Sequence, residues 1–241
     1  MKFIKTLAAL ALAPVVAAAV YTYARFLYNF ASESILVYRS FWAALALYPV
    51  FQKFVARPAK VYIFEHEMTH ALFAVLTGSR VKKISVKKDN GSVIVDKTNS
   101  LITLAPYFFP LYAAMIFGIW KLSAMLWPRI MPWEPAAHFA FGLALSFHFL
   151  MTAGAILQGQ SDIKSDGVFF SLAVIFSLYI FVSVFLLKFL FGSPAVFGDL
   201  AGFLKEIWRL SAVFYAWLWR VFYENIIPAA RRVVGDSIPK G

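Results

Sequence analysis

The 241-residue chain contains no cysteine. Disulfide frameworks, cysteine-ligated zinc and cysteine nucleophiles are therefore excluded, and the redox compartment is left open. Charge is also scarce: 15% of residues are Asp, Glu, Lys or Arg, where about 25% is usual in a soluble domain. Only four residues are histidine, and acidic groups number 12 against 23 basic ones. So little charge on so apolar a chain rules out a disordered or nucleic-acid-solvating tail. What is abundant is hydrocarbon. The apolar set makes up 61%, with 26 Phe, 11 Tyr and 7 Trp, more apolar surface than one water-soluble core can hide, so the expected solvent for much of it is lipid. The net charge of +11 does not form a patch on a polar domain. Lys53, Arg57 and Lys60, then Arg80, Lys82, Lys83, Lys87 and Lys88, then Arg231 and Arg232 flank apolar runs. In that setting basic residues set topology and meet anionic headgroups, and no nucleic-acid partner is expected.

Met1 to Lys5 and the following apolar run have the look of a secretory signal. The charge-free stretch nevertheless continues from Thr6 to Ala24 and ends in Tyr21, Tyr23, Phe26 and Tyr28, so a retained first helix with an aromatic belt is expected. Leu101 to Trp120, Ala136 to Gln158 and Gly167 to Leu187 are each near the ~20 residues that a bilayer core requires. A weaker span runs from Ser34 to Gln52, with Arg39 inside it. Residues Val61 to Thr77 form a shorter segment that carries Glu65, His66, Glu67 and His70. Val81 to Val86 and Ser92 to Val95 are β-branched or alternating, and Asp89-Asn90-Gly91 between them predicts a hairpin turn. Gly192, Ser193 and Pro194 break the chain before a tail in which Lys205, Glu206, Arg209, Arg220 and Glu224 share one helical sector. The reading is an all-α polytopic membrane protein of about six segments with a small membrane-surface β-hairpin. It forms one membrane-embedded domain: N-terminal spans over 6–58, a core over 60–190 with its hairpin at 81–95, and an amphipathic interfacial region over 195–241.

The chemistry concentrates in Glu65-His66-Glu67-Met68-Thr69-His70. On a helix, His66 and His70 lie one turn apart and present both imidazoles to one point, with Glu67 displaced around the axis toward a metal's open position. Two neutral imidazoles suit Zn²⁺, which lowers the pKa of bound water toward ~7, and the glutamate serves as general base. Random placement of so few His and Glu rarely produces this pattern, and ionisable groups amid Ala71-Leu72-Phe73-Ala74 are costly unless functional. A third ligand is required. His138 and His148 lie in an otherwise uncharged span and read as neutral, hydrogen-bonded histidines, with a supporting role open to either. Asp162 and Asp166, in QSDIKSDG at the head of the next span, are the better candidates.

At this point the sequence resembles the site-2 protease family of intramembrane zinc metalloproteases. The resemblance rests on the order FEHEMTHALFAVLTGSR, a hairpin around DNG, the span LITLAPYFFPLY, and then QSDIKSDGVFFS, over about residues 60 to 190. It implies His66, His70 and a downstream aspartate as zinc ligands, Glu67 as general base, and a transmembrane or membrane-associated protein substrate. The expected location is a bacterial cytoplasmic membrane, as an integral multi-pass protein. The usual Leu-Asp-Gly is absent, which marks a divergent member. Asp166-Gly167 matches the Asp-Gly dipeptide, while Asp162 fits a looser Gln-x-Asp pattern and is preferred. Other readings fit less well. Di-iron membrane oxygenases need about eight histidines, the Gly-x-Ser-Gly of serine intramembrane proteases is missing, and no glutamate is followed by the Glu-x-x-x-Asp spacing of other membrane zincins. A non-catalytic metal-binding, transport or scaffold protein is the alternative, although a pure binding site has no need of Glu67. Pro106 and Pro110 are expected to kink their span where it lines a cavity. The basic clusters at both ends of the Val61–Thr77 segment cannot both face the cytoplasm if that segment crosses fully, so it is re-entrant or one upstream cluster faces outward.

Overall fold

A computed structural model describes residues 2–55, 58–87, 90–192 and 196–228. The expectations on Arg57, Lys88, Asp89, Ser193, Pro194, Arg231 and Arg232 fall outside the described residues. The chain is mostly helical. In order it forms α1 (Lys2–Ser34), α2 (Arg39–Phe54), α3 (Ala59–Leu76), β1 (Val81–Val86), β2 (Gly91–Val95), α4 (Ser100–Phe108), α5 (Leu111–Leu126), α6 (Glu134–Leu157), α7 (Ser161–Asp166), α8 (Val168–Leu190) and α9 (Val196–Val221).

Among the described residues, three helical stretches are long and apolar enough to cross a membrane: Phe3–Ser34, Pro128–Leu157 and Val168–Leu190. A fourth is counted if α4 and α5, bent by 74°, form one broken span. Six segments were expected from the sequence, and the remaining helices differ in physical character. α2 has only 16 residues, and α3 carries Lys60, Glu65 and Glu67. The bend follows from proline chemistry. Pro110 has no N–H to continue the ladder, and the chain passes through extended backbone at Phe109 (φ −110°, ψ 104°) before α5 begins.

α2 and α6 pack side by side in the same direction, with the Ser146 hydroxyl donating to the Leu45 carbonyl at 3.1 Å. Gly142 permits this approach, since a Cβ there would lie 2.6 Å from the Phe41 carbonyl oxygen. Phe41, Phe141, Leu145, Leu187 and Leu190 form the core at this level. A second cluster joins α1, α8 and α9 through Ala18, Ile180, Val184, Leu200 and Phe203. α9 returns along α1, with Phe203 edge-on to Phe26 and the Tyr215 hydroxyl bonded to the Ala11 carbonyl. α3 starts beside the middle of α6, where Tyr62 packs edge-on against Phe147 at 6.4 Å.

α3 ends at Gly78, whose φ of 77° lets Ser79 N–H reach back to the Ala74 carbonyl at 2.8 Å; a side chain would strain that conformation. The chain then forms an antiparallel hairpin, with Ile84 opposite Val93 and Val86 opposite Gly91, and an irregularity in pairing between Val81 and Lys83. The hairpin and the short α7 lie at the same end of the bundle as the HExxH helix.

Candidate metal centre

The helix period does what the spacing requires. His66 and His70 stand one turn apart on α3, with their Nε2 atoms 3.2 Å from each other. Asp162, in the first turn of α7, brings Oδ2 to 3.4 Å from His66 Nε2 and 3.6 Å from His70 Nε2. Among the described residues these three form the one cluster of histidine and carboxylate groups able to share a metal ion. The donor set and the triangle suit zinc, because ligand atoms about 2.0–2.1 Å from a tetrahedral ion stand about 3.3–3.4 Å apart. Glu67 is buried and lines the same cavity, of about 330 Å³, together with Gly91, Ser92 and Val93 of β2.

The surrounding groups orient these donors. His70 Nδ1 is 2.8 Å from the Ile102 carbonyl oxygen, which assigns the proton to Nδ1 and leaves Nε2 as a lone-pair donor. That carbonyl is available for a local reason. Its helical partner would be the N–H of residue 106, and residue 106 is proline, which has none. α4 is held at its start by Asn99, whose Oδ1 accepts the Ile102 N–H at 2.9 Å. The Tyr107 hydroxyl donates to Asp162 Oδ2 at 3.1 Å. Burial alone would raise the Asp162 carboxyl, but the imidazoles of His66 and His70 outweigh it and hold the group well below the ordinary carboxylate range. His66 Nδ1 is buried with no hydrogen-bond partner among the described residues.

The other candidates are placed elsewhere. Asp166 does not join the cluster; its Oδ1 is 2.5 Å from Lys5 Nζ. Burial works against its charge, and the hydrogen bonds from Lys5 and Ser100 bring its pKa below the usual value. His138 sits at the start of α6 against Tyr38 and Phe191, with Nε2 3.7 Å from Glu134. His148 is 1% exposed and its Nδ1 is 3.4 Å from Glu65 Oε1. The same Glu65 oxygen accepts the Tyr112 N–H at 3.2 Å, so this carboxylate caps the start of α5, just beyond the proline break, and ties the HExxH helix to α5 and α6.

Tyr107 and Ile102 are not singled out by the sequence. The Gly91 signal was present as a turn glycine, but its close approach is tertiary: a Cβ there would fall 2.6 Å from Glu67 Oε1. A larger groove of about 820 Å³ between α2, α3, α5 and α6 is lined by Leu47, Phe51, Val61, Met115 and Leu143. Among the described residues its lining presents no carboxylate or imidazole.

Residues 40–140 match the family described as Peptidase M50B-like. That supports membership of the site-2 protease (M50) family. The matched stretch contains α3 with its HExxH and the hairpin, and it ends before Asp162. Among curated proteins and among solved structures there is no significant match. The M50 family consists of zinc metallopeptidases, and the match together with the apolar helices supports a membrane protein of peptidase type.

Proposed function

We propose that this protein is an intramembrane zinc endopeptidase that hydrolyses peptide bonds of transmembrane or membrane-associated substrates. The observation that carries the reading is the convergence of His66 Nε2, His70 Nε2 and Asp162 Oδ2 to 3.2–3.6 Å of one another beside Glu67. His66, His70 and Asp162 would hold the ion. Zinc, when bound, supplies Lewis acidity toward a scissile carbonyl and toward water. The protein's own groups do the rest. Glu67 accepts a proton from the attacking water and returns it to the leaving amine. Ile102 and Tyr107 hold one imidazole and the carboxylate in register. The edge of β2 along the cavity, which pairs with no other strand among the described residues, offers its backbone groups to a substrate segment that has left its helical conformation, by strand addition. Such unwinding is required because a helical peptide has its backbone already paired.

On this reading α2 and α3 add to the long apolar spans to give about six membrane segments in a bacterial cytoplasmic membrane. α3 is re-entrant, beginning beside mid-α6, and the lipid bilayer is the second partner. A non-catalytic metal-binding scaffold would leave Glu67 without a task. The test is cleavage of a transmembrane substrate by the purified protein and by Glu67→Gln, with bound zinc measured in both. The expected result is zinc in both and a loss of cleavage of about a thousandfold or more in the variant. Equal cleavage, or zinc in neither, overturns the proposal.

A further inference from the structure

We infer that Lys5 is a positioning residue for the metal centre, acting through a latch that joins α1 to Asp166 of α7 and Ser100 of α4. The inference rests on the zinc reading given above. Lys5 Nζ lies 2.5 Å from Asp166 Oδ1 and 3.4 Å from Ser100 Oγ, and 5.3 Å from the centre of the Phe170 ring. The side chains of Lys5 and Asp166 are 24% and 16% exposed, so the pair is shielded from solvent to a degree that most surface ion pairs are not.

The geometry gives this latch a specific task. α7 has only six residues and is flanked by glycines at positive φ, Gly159 at 69° and Gly167 at 94°. Neither neighbouring helix continues into it, so its rotation about its own axis is set by side-chain contacts. Ile163 is buried beneath it and its carbonyl accepts the Ser171 hydroxyl at 2.9 Å; at the other end of the helix from Asp162, which Tyr107 holds, the side-chain handle is Asp166. Asp162 and Asp166 are four residues apart and share a face. One points to the imidazoles and the other to Lys5. A turn of α7 that loosened Asp166 would therefore move Asp162 Oδ2 away from His66 and His70. Ser100, the other partner of Lys5, opens α4, the helix that presents the Ile102 carbonyl to His70 and the Tyr107 hydroxyl to Asp162. One ammonium thus links the two elements that orient two of the three ligands. A contact that only fastened α1 to the bundle would affect stability and leave the ligand geometry alone.

The two roles separate experimentally. Zinc affinity of the full-length purified protein is measured by chelator competition, with thermal unfolding in parallel. The series is wild type, Lys5→Met, Asp166→Asn, the double variant, and the exchanged pair Lys5→Asp with Asp166→Lys. The latch predicts zinc binding weakened about tenfold in each single variant, no further loss in the double variant, and partial recovery in the exchanged pair. Lys5→Arg, which keeps the charge, is expected to bind zinc like wild type, and Asp166→Asn carries the reading if Lys5→Met does not fold. Wild-type zinc affinity in Lys5→Met and Asp166→Asn, even with lowered melting temperatures, overturns the latch, as do losses that simply add in the double variant or a tenfold loss in Lys5→Arg. A wild-type chain with no zinc affinity overturns the metal reading itself and this inference with it.

Discussion

Glu67, the proposed general base, has little space between it and its neighbours. Its side chain lies against the backbone of Gly91, where a Cβ would stand 2.6 Å from Oε1. Gly91→Val is therefore expected to displace the carboxylate without touching any ligand. A shift of about 1 Å in a reacting group costs on the order of a hundredfold in rate. The variant should lose about that much turnover while keeping its zinc, as read by kcat alongside metal content. Wild-type kcat would place Glu67 outside the reaction. Glu65, two residues earlier, works differently. At 1% exposure it is bonded to Tyr112 N–H and sits beside His148, so its charge-bearing atoms serve the packing of α3 and not the cavity. Residues two apart on a helix diverge by about 200°, nearly opposite faces, which is why two glutamates so close in sequence can have separate tasks.

At the scale of the element, α4 is the most instructive. A proline within a helix is ordinarily a defect, since it removes a backbone donor. Here the carbonyl left without its partner is that of Ile102, and His70 Nδ1 occupies it at 2.8 Å. Pro106→Ala would return a donor to the ladder and set it in competition with His70. The expected outcome is a better-formed α4 together with zinc binding weakened by up to about tenfold, the range seen when a partner of a metal-bound imidazole is altered; chelator competition measures it. Unchanged affinity would mean that the Ile102 carbonyl can serve both donors. The second proline, Pro110, does the coarser work of ending α4 and allowing the 74° bend into α5, and Glu65 caps the helix start that this break exposes.

Across the whole molecule, the candidate metal centre depends on α3 being held against the bundle, and α2 packs closely on α6 within that frame. Gly142 lets Phe41 and Ala44 approach closely. Gly142→Leu would force the two helices apart, with an expected loss of roughly 1–3 kcal/mol from overpacking, seen as a lower melting temperature in detergent. An unchanged melting temperature would show that this contact does not govern stability. The HExxH turn, the hairpin around Asn90-Gly91 and the apolar stretches that became α1, α6 and α8 were all legible beforehand, because each rests on interactions between residues close in the chain: helical spacing, turn conformation and continuous hydrocarbon. The proposed third ligand was not separable from its neighbour on those grounds. Asp162 and Asp166 lie four apart on one helical face, so local pattern treats them alike, and only the approach of α3 to one and of Lys5 to the other distinguishes them. The same holds for Gly91 against Glu67 and for the Ile102 carbonyl against His70. Sequence by itself determined which residues could bind a metal and move a proton. The tertiary structure decided which of them meet, since contacts between segments remote in the chain depend on the packing of the whole bundle and not on any one stretch of it.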